Sequence, residues 1–246
     1  MALTIADVSD EAILLAGGAA AILLQVADPA VARGVAGHST FAERPLDRLH
    51  GTLTYLYVTV YGTEEEARRI ARHVGGAHAG VPGATDAHLQ LWVAATLYDT
   101  AMRIRELIWG ADEPSDAEAL LADYAVIATA LGVPRTLWPG SRQDFARYWR
   151  DYPLSVGDDA RGIARELLHP SRAPLWMRAL LPTVRLVTAG LLPPELRQAY
   201  ELDLDERRFA KLVRRTRRWY PLLPDWLRHA PRRYYLRRFR RHPHPR

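Results

Sequence analysis

The chain has 246 residues, no cysteine, and 33 Lys and Arg against 28 Asp and Glu, a net charge of +5. The missing cysteine excludes disulfides, thiolate metal sites and cysteine nucleophiles, so any metal chemistry rests on His, carboxylates or a prosthetic group. The charge is divided: from Asp205 to the end, fifteen Lys/Arg face three Asp/Glu, a net of +12, which leaves −7 on residues 1–204. An acidic body with a basic end is no argument for a nucleic-acid-binding body.

Along the chain nearly every segment carries a helical period and none alternates convincingly as a strand. Acidic rather than basic residues precede the apolar run that begins at Ala12, unlike a secretory signal. The uncharged stretch Ala12–Ala27 is shorter than the roughly 18–20 residues a bilayer span needs. It reads as a buried helix over 10–27, with Gly17 and Gly18 allowing a neighbour to approach closely. Leu175–Leu192 is also apolar, but Arg178, Pro182 and Arg185 interrupt it. The expectation is a cytoplasmic protein with no transmembrane helix.

Asp28-Pro29 ends the first helix and opens a short one through about Gly37. Pro45 starts a helix whose buried face is Leu46, Leu49, Leu53, Leu56 and Val60. Its second half, Thr-Tyr-Leu-Tyr-Val-Thr-Val-Tyr, carries a rival strand signal. Thr63-Glu64-Glu65-Glu66 is a capping box for a helix ending near His78. A long helix follows from Asp86 to Trp109, and Ser115-Asp116-Ala117-Glu118 forms a second capping box for one ending near Gly132. Shorter helices are expected at Arg142–Arg150, Asp158–Leu168, Pro174–Ala189 and Glu195–Tyr200. The reading is all-α: one multi-helix domain over 1–204 with a basic, aromatic C-terminal extension over 205–246.

Two places on this frame draw attention. Arg48, Thr52, Tyr55 and Thr59 fall at i, i+4, i+7 and i+11, a polar stripe roughly opposite the leucine face. It reads either as a solvated side or as a strip facing an internal pocket. His78 stands among Gly75, Gly76, Ala77, Ala79 and Gly80. Such small neighbours admit a flat, bulky group such as haem, and they equally suit a helix end where His meets the last carbonyls. No paired Glu-x-x-His motifs, no Gly-x-Ser-x-Gly elbow and no phosphate loop occur.

Five ordered stretches resemble the MpaB and latex-clearing-protein oxygenase family. They are Leu-Leu-Gln-Val-Ala-Asp-Pro-Ala-Val-Ala-Arg-Gly-Val-Ala-Gly-His-Ser (23–39), Pro-Leu-Asp-Arg-Leu-His-Gly-Thr (45–52), Tyr-Gly-Thr-Glu-Glu-Glu-Ala (61–67), Ala-His-Ala-Gly-Val-Pro-Gly (77–83) and Leu-Trp-Val-Ala-Ala-Thr-Leu (91–97). The resemblance covers about residues 12 to 200. It implies an all-helical fold around a b-type haem, iron held by one His, and dioxygen as co-substrate with a hydrophobic small molecule. It makes His78 the proximal ligand and places Arg48 and Thr52 beside the haem. Where the family usually reads Ala-His-Pro this chain has Ala27-Asp28-Pro29, and Ala94 stands where Trp-Val-His-Ala-Thr-Leu has its histidine. Gly51 occupies the position of a Lys in the latex-clearing branch, so rubber is a poor expectation for the substrate. A general base is not assigned; Asp28 and Asp99 are the acidic candidates. A haem- or apolar-ligand-binding protein without turnover is the alternative.

In the basic end, Arg pairs interleave with Trp219, Tyr220, Trp226, Tyr234, Tyr235 and Phe239. That pattern suits peripheral contact with an anionic membrane, and equally a helix packed on the acidic body. It carries no code for sequence-specific nucleic acid.

Overall fold

A computed structural model describes residues 3–37, 45–170 and 174–241, with side chains in the second stretch described from His50 on. Among these residues there are helices and turns and no strand. Asp10 and Glu11, expected as the first residues of a helix over 10–27, lie instead between helices. Thr4 and Asp7 form an unforeseen capping box for α1 (Ile5–Ser9), a 3-10 turn covers Ala12–Gly17, and α2 (Gly18–Val26) follows. Both carboxylates are buried and turn toward the far end of the chain. Glu11 accepts from Tyr220 Oη and Arg228 Nη1, each at 2.8 Å, and Asp10 pairs with Arg232 at 2.9 Å. A continuous helix would forgo those ion pairs.

Asp28 caps α3 (Pro29–Ala36) with Pro29 at its first position. The segment with the strand signal is helical throughout α4 (Pro45–Tyr61). Tertiary burial decides this, because Leu53, Tyr55, Tyr57, Val58 and Thr59 are all buried, on several sides of the helix. The Thr63 box opens α5 (Glu64–His78) as expected, and Asp86 caps α6 (Ala87–Trp109). The box expected at Ser115 is not formed. Pro114 is already the first residue of α7 (Pro114–Thr129), and Glu118 instead accepts the Arg142 N–H at the start of α8 (Arg142–Asp151). Next come α9 (Asp158–Leu168), α10 (Leu175–Leu191) and α11 (Pro194–Ala199).

α6 runs through the middle, with Trp92, Ala95 and Thr96 fully buried. On one side it shares a core with α4, α5, α7 and α8, through Tyr55, Val58, Ile70, Leu121, Tyr124 and Phe145. A second core joins α2 and α3 to α9 and α11, through Leu23, Leu24, Ile163, Leu168 and Leu196. Both are dense apolar clusters of the kind that dominates folding free energy.

The basic segment is helical too: α12 (Glu206–Trp219), α13 (Asp225–Arg228) and α14 (Ala230–Arg241). It docks on the body. Tyr220 joins the cluster of Ala20, Ile104, Ile108 and Leu191, and Tyr235 packs with Leu53 and Tyr57. Phe239 is buried in the first core beside α4 and α5, with Arg69 over its ring. Among the described residues no single helix is long and apolar enough to cross a membrane.

Candidate functional site

α4 and α5 are joined by only Gly62 and Thr63 and pack on each other, so the two helices bearing the sequence candidates are neighbours. Arg48 lies in the first turns of α4, and its side chain falls outside the described residues. Thr52 is exposed and forms no hydrogen bond to a described side chain. The same stripe then dives inward: Tyr55 is 5% exposed, with its hydroxyl donating to Ile127 O at 2.6 Å, and Thr59 is buried beside it. A wholly solvated stripe is therefore not what α4 presents.

His78 closes α5. Ile70, Val74 and His78 stand at i, i+4 and i+8, so they share the face on which Ile70 is buried and Val74 packs on the core. His78 is half-buried and its Nδ1 is shielded from solvent. The backbone around it is open: a Cβ on Gly75, Gly76 or Gly80 would meet nothing within 4 Å. The chain then folds in tight turns, Val81 N–H donating to His78 O at 2.9 Å and Asp86 N–H to Gly83 O at 3.0 Å. This loop leans on α3, where a Cβ on Gly34 would lie 3.2 Å from Pro82 O. Between them opens a cleft of about 340 Å³ lined by Ala30, Arg33, Gly34, Pro82 and Gly83.

The two departures from the family motifs both have structural occupations. Asp28 Oδ1 accepts from the N–H groups of Ala30 and Val31 at 2.7 and 3.1 Å, while Oδ2 accepts from Tyr152 Oη at 2.8 Å. Burial, reinforced by Asp28, pushes the Tyr152 phenol far above its usual range, so it stays a proton donor. Tyr152 stacks on Trp92 at 3.9 Å between ring centroids, and Trp92 Nε1 donates to Leu24 O at 3.2 Å. Tyr148 sits edge-on to Tyr152, its hydroxyl buried with no hydrogen-bond partner among the described residues. Ala94 is buried and brings no polar group. The other acidic candidate, Asp99, bonds Arg103 Nε at 2.6 Å within α6. Both carboxylates are thus engaged by structural partners.

Sequence reasoning passed over Arg33 and the Trp92–Tyr148–Tyr152 group. Arg33 lies within a motif-bearing stretch, but only the fold sets it against the loop after His78. The tyrosines come from α8 and the residue after it, far along the chain, and no spacing signals their meeting with Asp28.

The profile of the family described as ER-bound oxygenase mpaB/B'/Rubber oxygenase, catalytic domain, matches residues 6–231. The chain belongs to this family. As a member of the MpaB/rubber oxygenase family it is of oxygenase type, and the match runs well beyond residues 12–200, through α12 and α13 into α14. It is also similar to an uncharacterized protein of Mycobacterium bovis and an uncharacterized protein of Mycobacterium tuberculosis. Each is 32% identical over 219 residues, covering 79% of this chain and 84% of the relative. No solved structure matches the chain.

Proposed function

We propose that this member of the oxygenase family is a haem b-dependent oxygenase or oxidase that uses dioxygen on a small hydrophobic molecule. The observation that carries the reading is His78. It continues the core-facing stripe of α5 with Nδ1 shielded, while the backbone beside it has room for a flat group.

The residues present fit such a group. Among the described residues no cluster of three or more His, Asp or Glu could hold a metal ion by itself. Iron held by His78 would need its remaining donors from outside the chain, and a porphyrin supplies them. The cleft next to the His78 loop, with apolar walls and one guanidinium, lies at the low end of the roughly 300–1,000 Å³ typical of ligand pockets.

When bound, haem supplies the redox chemistry of oxygen activation. The chain's part is to hold and orient. His78 would hold the iron through a ring nitrogen. Arg33 at the cleft and Arg48 on α4 would hold the haem carboxylates or stabilise negative charge, since a guanidinium stays protonated at any working pH. Thr52 supplies a hydroxyl donor.

A second reading, a ligand-binding protein without turnover, is favoured by one observation: Asp28 serves as a helix cap and Ala94 as core, where the family has histidines. Haem titration of the purified protein followed by dioxygen uptake separates the readings. Stoichiometric haem binding with uptake driven by reductant and hydrophobic substrates supports the enzyme. Binding without uptake supports the second reading with haem as its ligand, and no haem binding overturns both haem readings.

A further inference from the structure

The arginines of the C-terminal helices fall into two sets. Those facing the body meet acids: Arg228 with Glu11, Arg232 with Asp10, and Arg240 with Glu66 at 2.8 Å. Four others along α14 do not. Arg233 donates to Trp226 O and Arg238 to Tyr234 Oη, and no ion pair forms to Arg233, Arg237, Arg238 or Arg241 from the described residues. Together with Trp226 and Tyr234 these four line an open groove of about 710 Å³.

The turn leading into α14 is unusual in the opposite sense. Over nine consecutive residues it buries Tyr220 yet exposes Trp219 (58%), Leu222 (70%), Leu223 (38%), Trp226 (64%) and Leu227 (43%). Trp226 belongs to both features, so the apolar turn and the cationic groove are continuous. A contiguous exposed apolar patch rimmed by one sign of charge marks an interaction surface.

We infer that this turn and groove form a docking face for an anionic lipid bilayer, Trp219, Leu222, Leu223, Trp226 and Leu227 entering the headgroup boundary while Arg233, Arg237, Arg238 and Arg241 hold lipid phosphates. Charge complementarity argues for an anionic partner, because none of these four guanidiniums forms an ion pair with a carboxylate among the described residues. The aliphatic side chains select a bilayer over a nucleic acid: leucines gain from the acyl boundary and give nothing to a phosphodiester chain. Trp and Tyr at the rim match the amphipathic belt of membrane interfaces. The inference stands whether or not His78 binds haem.

Deleting α14 would uncover α4 and test only folding, so the experiment uses outward side chains. Co-sedimentation is measured with vesicles of equal parts phosphatidylcholine and phosphatidylglycerol, and with phosphatidylcholine alone, for the wild type, Arg237→Glu/Arg238→Glu, and Leu222→Ser/Leu223→Ser. The single variant Leu222→Ser replaces the last should it fail to fold, with circular dichroism as the check. The wild type is expected to bind the anionic vesicles, and each variant to bind about tenfold less or weaker. Equal affinity for both vesicle types, no binding, or binding unaltered by either variant overturns the inference. So does loss with the arginine variant alone accompanied by displacement from vesicles by a single-stranded oligonucleotide, which would assign the face to nucleic acid.

Discussion

His50 Nδ1 and Tyr235 Oη share a 2.7 Å hydrogen bond across 185 residues of sequence, joining the helix that carries Arg48 and Thr52 to the basic C-terminal helix. Burial pushes the Tyr235 phenol up to about 12, so it remains protonated and able to donate to the imidazole. Tyr235 also stacks on Tyr57 at 5.6 Å between centroids. The end of the chain is therefore part of what positions α4.

Tyr235→Phe keeps the ring stack and removes the hydroxyl, with an expected cost of about 1–2 kcal/mol in urea unfolding. Tyr235→Ala also empties the contact with Leu53 and Tyr57, and about 3–5 kcal/mol is expected. Equal, small effects of the two substitutions would mean that α14 does not brace α4.

Asp28→Ala removes the cap of α3 and the acceptor of Tyr152 together. The cap is worth about 1–2 kcal/mol, and the stranded phenol adds about 1–3 kcal/mol. Asp28→Asn retains an oxygen acceptor for the helix and should lose much less. Thermal unfolding of the two variants side by side checks the ranking, and an Ala variant as stable as the Asn variant would refute the cap.

Adjacent glycines are expected to respond oppositely. A Cβ on Gly17 would lie 2.4 Å from Thr100 Cγ2 and 2.6 Å from Ile104 Cδ1, whereas one on Gly18 would meet nothing within 4 Å. The β-branched Thr100 has little freedom to give way, so Gly17→Ala is expected to cost about 1–3 kcal/mol. Gly18→Ala, in the first turn of α2, should be neutral or stabilising by about 0.5–1 kcal/mol. Denaturant midpoints decide, and identical shifts would contradict the close approach.

Burial raises the Asp99 carboxyl above 3.8, outweighing the opposing pull of Arg103. The folded chain then holds this proton more tightly than the unfolded chain, so the contribution to stability is full below 3.8 and is lost as pH rises through the raised folded value. Asp99→Asn does not titrate. Its unfolding free energy is expected to gain on the wild type as pH climbs through that window, and parallel curves would contradict the sign.

Much of the fold was legible because caps and apolar periods are local. Asp28, Thr63 and Asp86 each open the helix that the sequence assigns to them. The failures came from distant partners. Asp10 and Glu11 stay outside the helix expected over 10–27, with Arg232, Tyr220 and Arg228 holding their carboxylates, and Glu118 leaves the Ser115 box for the Arg142 amide. Of the site, the core-facing stripe and the open backbone at His78 follow from helical spacing and small residues. The cleft with Arg33 and the Asp28–Tyr152 pair need the fold, since α3 meets the His78 loop and α8 only in three dimensions.

The most direct test of the haem reading is the absorption spectrum of the haem-reconstituted protein beside His78→Ala, with and without added imidazole. A Soret band in the wild type, a loss or shift of ligand-field features in the variant, and their recovery with imidazole are expected. An identical spectrum from the variant, or no Soret band in the wild type, would contradict His78 as the axial ligand.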